Sequence, residues 1–250
     1  MCLLIILRGR SAAHPLVVAG NRDERTDRPA APPGLWVGRA RRVLSPRDRR
    51  AGGTWLGVND RGVVAGLTNV AGAPTAPDAP SRGHLVHLAL DADDLEVGLA
   101  AVARAVADAP HSGFQLVVAD ARATVVLRQA AGPGSLQRID WRDDVLVVSN
   151  EHAPGVLRPR GLSPSLAPGL PIDRQLALLA GVLRDRGGDG HHAICKRGAE
   201  HGTVSSSLLA VPPDPARGLV WRYAAGAPDV APYKEYGNLG RRLLPEPDDA

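Results

Sequence analysis

Two cysteines, Cys2 and Cys195, are too few for a disulfide framework in 250 residues. Aromatic residues make up only 3% of the chain, so its core must be built from Val, Leu, Ala and Ile. No apolar run approaches the ~20 residues that cross a bilayer, so no membrane span is expected. Lysine is nearly absent: only Lys196 and Lys234 stand among 30 basic residues. No Gly-x-Ser-x-Gly elbow is present, which argues against an α/β-type serine hydrolase. Gly52-Gly53-Thr54-Trp55 leads into a strand with no lysine nearby, so it is not a phosphate loop. His191, His192, Cys195 and His201 lack the regular spacing of zinc ligands. No metal and no cofactor are expected.

Hydrophobic residues reach 44%, enough for a sizeable core, while 28 Gly and 22 Pro imply many turns. The net charge is only +4. The one dense basic stretch, Arg39 to Arg50, has no aromatic to stack a base and carries Asp48 inside it. It reads as a solvated loop and not as a nucleic-acid site. Met1 to Leu7 lacks a basic n-region and meets Arg8 and Arg10 at once, so it reads as a buried strand and not a signal peptide. The expected compartment is the cytoplasm. A single domain over 1–244 is expected, with 245–250 as a frayed tail.

Apolar runs predict strands at Cys2–Leu7, Leu16–Ala19, Thr54–Val58 and Val63–Thr68. Asn21 to Pro33 reads as a long loop, because it is polar and proline-rich. Helices are expected from Gly83 to Leu90 behind a Ser81 cap, from Asp93 or Asp94 onward, and behind Asp173. Between the last two, Phe114–Ala119, Thr124–Leu127, Ser135–Ile139 and Val145–Ser149 read as strands. Val204–Val211 and Leu219–Tyr223 are the last. Strands in consecutive runs, with helices set apart, favour mainly antiparallel sheets in an α+β fold.

The most informative residue is Cys2. Met1 is expected to be trimmed before so small a residue, leaving a cysteine that carries both a thiol and an α-amine. Their pKa values, near 8.5 and about 7.7–8.0, let a proton pass between them at little cost. Asn21-Arg22-Asp23-Glu24 follows the second strand, and Asn69 and Asn150 each close an apolar strand. An asparagine amide can donate to a developing oxyanion, though strand-end asparagines are more often turn residues.

Together these pieces are similar to the NRDE family, also called the transport and Golgi organisation protein 2 family. The matching segments are Met1-Cys2-Leu3, Asn21 to Glu24, Arg28-Pro29, Trp36, Arg47-Asp48, Gly52 to Val58, Asn69, Ser81-Arg82-Gly83, Ser149-Asn150, Ile194-Cys195 and Gly202-Thr203. The family in turn resembles the N-terminal nucleophile hydrolases of the penicillin V acylase and bile-salt hydrolase type. That resemblance implies a four-layer αββα sandwich. It implies Cys2 as nucleophile, Asp23 orienting the N-terminal residue, and Asn69 and Asn150 as oxyanion donors. Asn21, Arg22 and Trp55 are expected to touch substrate. The acylases carry an arginine where this chain has Gly20, and another near the position of Val204. Two functions follow as expectations: hydrolysis of a small non-peptide amide, or a non-enzymatic binding or trafficking module handling haem or lipid. The expected partner is a small-molecule substrate or ligand.

Overall fold

The computed structural model describes residues 2–74, 78–132, 134–188 and 192–244. The 245–250 tail, Met1 and His191 lie outside them. Six strands come first: β1 (Leu3–Arg8), β2 (Leu16–Arg25), β3 (Ala30–Val37), β4 (Arg42–Asp48), β5 (Leu56–Asn59) and β6 (Val64–Asn69). Helices α1 (Gly83–Leu90) and α2 (Leu95–Asp108) follow. Next come β7 (Phe114–Ala119), β8 (Thr124–Gln129), β9 (Gln137–Trp141) and β10 (Val145–Ser149). Helix α3 (Ile172–Leu183) precedes β11 (His201–Val211), β12 (Val220–Ala224) and β13 (Lys234–Glu235).

Among the described residues the strands form two sheets, ordered β10-β1-β2-β11-β12-β13 and β3-β4-β5-β6-β7-β8-β9. Neighbouring strands run antiparallel throughout. The β1 sequence explains the layering. Leu4 and Ile6 point into the core between the sheets, while Leu3, Ile5 and Leu7 pack under α3 on the outer face. Both faces are covered, so the strand reads as a continuous apolar run and not as an alternation. On the second sheet, Ala65, Leu67 and Leu116 pack against Leu85, Leu99 and Val102 of α1 and α2. The order is helix, sheet, sheet, helix: the αββα sandwich.

Several local expectations are corrected. Asn21 to Pro33 is not a loop, since β2 runs on to Arg25 and β3 begins at Ala30. Pro32 and Pro33 are tolerated because β3 is an edge strand and its register shifts between Ala31 and Gly34. Arg42 to Asp48, inside the expected solvated loop, is strand β4. Asp173 does not cap α3. Pro171 holds that position, and Asp173 pairs with Arg222 from the first turn. Asp94 does cap α2, accepting from the Val97 N–H at 2.9 Å.

His87 of α1 stacks on Trp36 of β3, with ring centroids 4.4 Å apart. Burial, reinforced by His84 and Arg47, pushes the His87 imidazole down to about 4. An unfolded histidine titrates near 6.5, so as pH falls toward 4 the unfolded chain takes up a proton that the folded one refuses. Stability is therefore expected to fall across that window. Discounted for the solvent screening of a half-buried group, the loss is about 2 kcal/mol. Urea unfolding at pH 7 and pH 4.5 checks it: His87→Gln should flatten the dependence, and an unchanged slope would refute the assignment.

Candidate active site

Cys2 stands at the entry to β1, between the second half of β2 and the end of β10. The Leu3 pairing with Asn21 on one side and Ser149 on the other fixes these neighbours. The even-numbered face of β1 looks between the sheets, and Cys2 lines a cavity of about 500 Å³ there. Asp23, Asn69, Arg22, Trp55 and Leu67 line the same cavity, as do Glu24, Arg28, Asp48 and Arg82.

The Cys2 thiol donates to the Asp23 carbonyl at 3.4 Å. The Asp23 carboxylate accepts from the Thr203 hydroxyl at 2.6 Å. That hydroxyl in turn accepts from the Lys196 N–H at 2.9 Å, so Asp23 is held from across the β2–β11 pairing. Burial pushes the Cys2 thiol up and Asp23 adds to it; the carbonyl hydrogen bond and the Arg22 guanidinium pull it back. Burial also pushes the Asp23 carboxyl up, opposed by Thr203 and by the charge of Lys196.

Asn69 ends β6 on the cavity wall. Asn150 is not part of that wall but follows β10 directly beside Cys2. Its N–H donates to the Cys2 carbonyl at 3.3 Å, and its carbonyl accepts from Ala71 N–H at 2.8 Å. Its side-chain Oδ1 is buried with no hydrogen-bond partner among the described residues, which leaves that oxygen as an unused acceptor.

Asn21, expected to touch substrate, faces the other way. Side chains alternate along a strand, so Asn21 shares the outer face with Ala19 and Val17. Its amide donates to the Leu183 carbonyl at 2.9 Å and the Ile194 carbonyl at 3.1 Å, tying β2 to the end of α3. Arg22 takes the inner face. Its guanidinium lies 4.3 Å from the Trp55 ring centroid and 3.2 Å from Asp48.

That placement accounts for Gly20. A Cβ there would sit 2.7 Å from the Leu3 carbonyl oxygen and 2.8 Å from the Leu4 side chain. No arginine fits at Gly20, and the nearby cation comes from Arg22, two residues further along the same strand face. Near the second arginine position, the bulge between Thr203 and Ser205 leaves Thr203 opposite Asp23.

Arg28, Asp48, Arg82 and Thr203 have no role legible in the sequence alone, although each falls in a matched motif. Asp48 accepts from Arg22 and from Arg28 at 2.7 Å, and Arg28 also meets Glu24 at 3.3 Å. Two glycine-containing motifs interlock beside them. A Cβ at Gly53 would lie 2.6 Å from the Gly83 carbonyl carbon, and one at Gly83 would lie 2.8 Å from the Thr54 oxygen. Neither position can carry a side chain without moving backbone. The contact seats Ser81-Arg82-Gly83 against the cavity.

Among the described residues no helix is long and apolar enough to cross a membrane, and no cluster of side chains is arranged to hold a metal ion.

Residues 1–158 match the family described as Transport and Golgi organisation 2. The mouse Transport and Golgi organization 2 homolog is 37% identical over 115 residues, which cover 43% of this chain and 40% of that protein. The bovine homolog is 38% identical over the same shares. The aligned part thus spans about two fifths of these relatives. Among solved structures, an N-acylethanolamine-hydrolyzing acid amidase ortholog from Caenorhabditis elegans superposes with a TM-score of 0.56 at 12% identity, covering 85% of this chain and 93% of that one. Penicillin V acylase from Agrobacterium tumefaciens gives 0.56 at 14% identity, covering 96% and 87%. The sandwich is therefore that of the N-terminal nucleophile hydrolases, and with more than half of its length matched the chain belongs to the Transport and Golgi organisation 2 family.

Proposed function

We propose that this chain is an N-terminal cysteine hydrolase that cleaves a small non-peptide amide. One observation carries the reading: Cys2, Asp23 and Asn69 line one cavity, with Asn150 bonded to the Cys2 backbone. A volume of about 500 Å³ suits a small molecule. The domain over 1–244 acts as one unit in this reading, and we assign it to the cytoplasm.

With Met1 removed, the Cys2 sulfur adds to the amide carbonyl carbon and its proton passes to the α-amine. Asp23 orients that amine. The Asn69 amide donates to the oxyanion, and Asn150 supplies a second donor from the β10 side. The C–N bond breaks as the ammonium returns its proton to the leaving nitrogen, and a thioester remains. Water then adds to the thioester carbonyl, its proton going to the α-amine. The C–S bond breaks, the thiolate regains a proton and the carboxylic acid departs.

The test is the state of the N-terminus and its thiol. Intact mass should show Met1 absent. Limited alkylation at pH 8 should then label Cys2 before Cys195, which is buried. Burial, with the Asp229 carboxylate as hydrogen-bond partner, pushes the Cys195 thiol up to about 11. A main species that retains Met1, or prior labelling of Cys195, would overturn the reading.

A further inference from the structure

Three guanidinium groups line the Cys2 cavity, and two are neutralised within the protein. Arg28 pairs with Asp48 at 2.7 Å and Glu24 at 3.3 Å. Arg22 pairs with Asp48 at 3.2 Å and packs on Trp55. Arg82 differs. Its Nη1 donates to the Gly113 carbonyl at 2.9 Å, and among the described residues it has no carboxylate within ion-pair distance. None of the described acids on the wall forms an ion pair with it: Glu24 and Asp48 hold the other two arginines, Asp23 holds Thr203, and Asp78 is exposed. A partly buried charge without a counter-charge is costly to keep. The Gly53–Gly83 contact nonetheless seats it on the cavity wall.

We propose that Arg82 receives a carboxylate on the molecule that enters this cavity, so that the ligand is a small organic anion. A guanidinium offers a planar fork of donors that matches a carboxylate, and one N–H used on Gly113 leaves others for it. Resting on the hydrolase reading above, the substrate class narrows to amides carrying a carboxylate. Burial pulls the Arg82 guanidinium down, and the negative charge available at Cys2 and Glu24 pulls it back up, so thiol and cation sense each other across the cavity.

The test uses two alkylating agents of nearly equal shape, iodoacetate and neutral iodoacetamide. The ratio of their rates at Cys2 is measured against the same ratio for N-acetylcysteine, so that changes in thiolate fraction cancel. The Cys2 ratio is expected to exceed the reference about tenfold, the scale of one hydrogen bond to a charged group. Arg82→Gln should return it to the reference, and Arg82→Lys should keep part of it. A wild-type ratio equal to the reference, or a Gln variant with the ratio intact, overturns the proposal. A separate arm offers phenylacetylglycine, glutaryl p-nitroanilide and their uncharged analogues. The first two distinguish a carboxylate on the leaving amine from one on the acyl group. Faster turnover of the uncharged analogues also overturns the proposal. No turnover of any of them, with the alkylation ratio high, counts against the hydrolase reading and leaves the anion site supported.

Discussion

Asp48→Ala is expected to destabilise the fold by about 3–5 kcal/mol, the cost of removing one partner from a buried ion pair. Asp48 is 8% exposed and serves four donors. It accepts from the guanidinium groups of Arg22 and Arg28, and from the N–H groups of Arg50 at 2.9 Å and Ala51 at 3.2 Å. Alanine leaves two cations that, among the described residues, still pair with Glu24 at 3.8 Å and 3.3 Å, so the lower half of the range is expected. For a chain of this length each kcal/mol shifts Tm by roughly 2–4 °C, giving a drop of roughly 6–16 °C. The pH dependence identifies the cause. Burial alone would raise the Asp48 carboxyl, but Arg28 and the two N–H groups outweigh it and hold it below the usual range. A depressed carboxylate contributes its stability above the unfolded value near 4 and loses it as pH falls through the folded value. The gap between wild type and Asp48→Ala should therefore close in acid. Calorimetry at pH 7 and pH 3 measures it. A gap that stays constant would mean that the lost contribution is packing and not charge.

The same carboxylate marks where the sequence stops being legible. Strands β1, β6, β7 and β10 were readable because each is buried on both faces, and an uninterrupted apolar run has few other uses at that length. The strand end Asn21 to Arg25, and β3 and β4, were not. The 21–25 strand end is polar because it lines the cavity, proline masks the pairing of the edge strand β3, and in β4 the buried pair Val43-Leu44 is too short an apolar run to stand out between Arg42 and Ser45-Pro46. What makes them strands is register against β11 and within the second sheet, which is information held by distant residues. The site divides in the same way. Cys2, Asp23, Asn69 and Asn150 could be named from motif resemblance. Asn21, expected to touch substrate, turns toward α3, because β2 runs past Ala19 to Arg25 and side chains alternate along it. Arg28, Asp48 and Arg82 belong to three separate motifs, and only the folded chain brings their charges to one wall.

Cys2→Ala is expected to abolish turnover of any amide the wild type cleaves, by more than about 10⁴-fold, since losing a nucleophile removes the covalent route altogether. The substitution isolates the thiol. Alanine is also small, so Met1 should still be trimmed and the α-amine should stay in place. The fold should persist, because β1 pairs from Leu3 onward and, among the described residues, the one side-chain bond Cys2 makes is the 3.4 Å contact to the Asp23 carbonyl. Asn69→Ala is the comparator. Losing one oxyanion donor costs about 10²–10³ in rate and leaves the nucleophile present. The two variants should therefore separate in a single experiment with p-nitrophenyl acetate followed by peptide mapping. Wild type should acquire an acetyl group on Cys2, Asn69→Ala should acquire it more slowly, and Cys2→Ala should acquire none at its N-terminal residue within the same time. If Cys2→Ala, trimmed and folded, still cleaved the amide at a rate near that of wild type, the nucleophile would lie elsewhere and the cavity around Cys2 would have to be reassigned to binding alone.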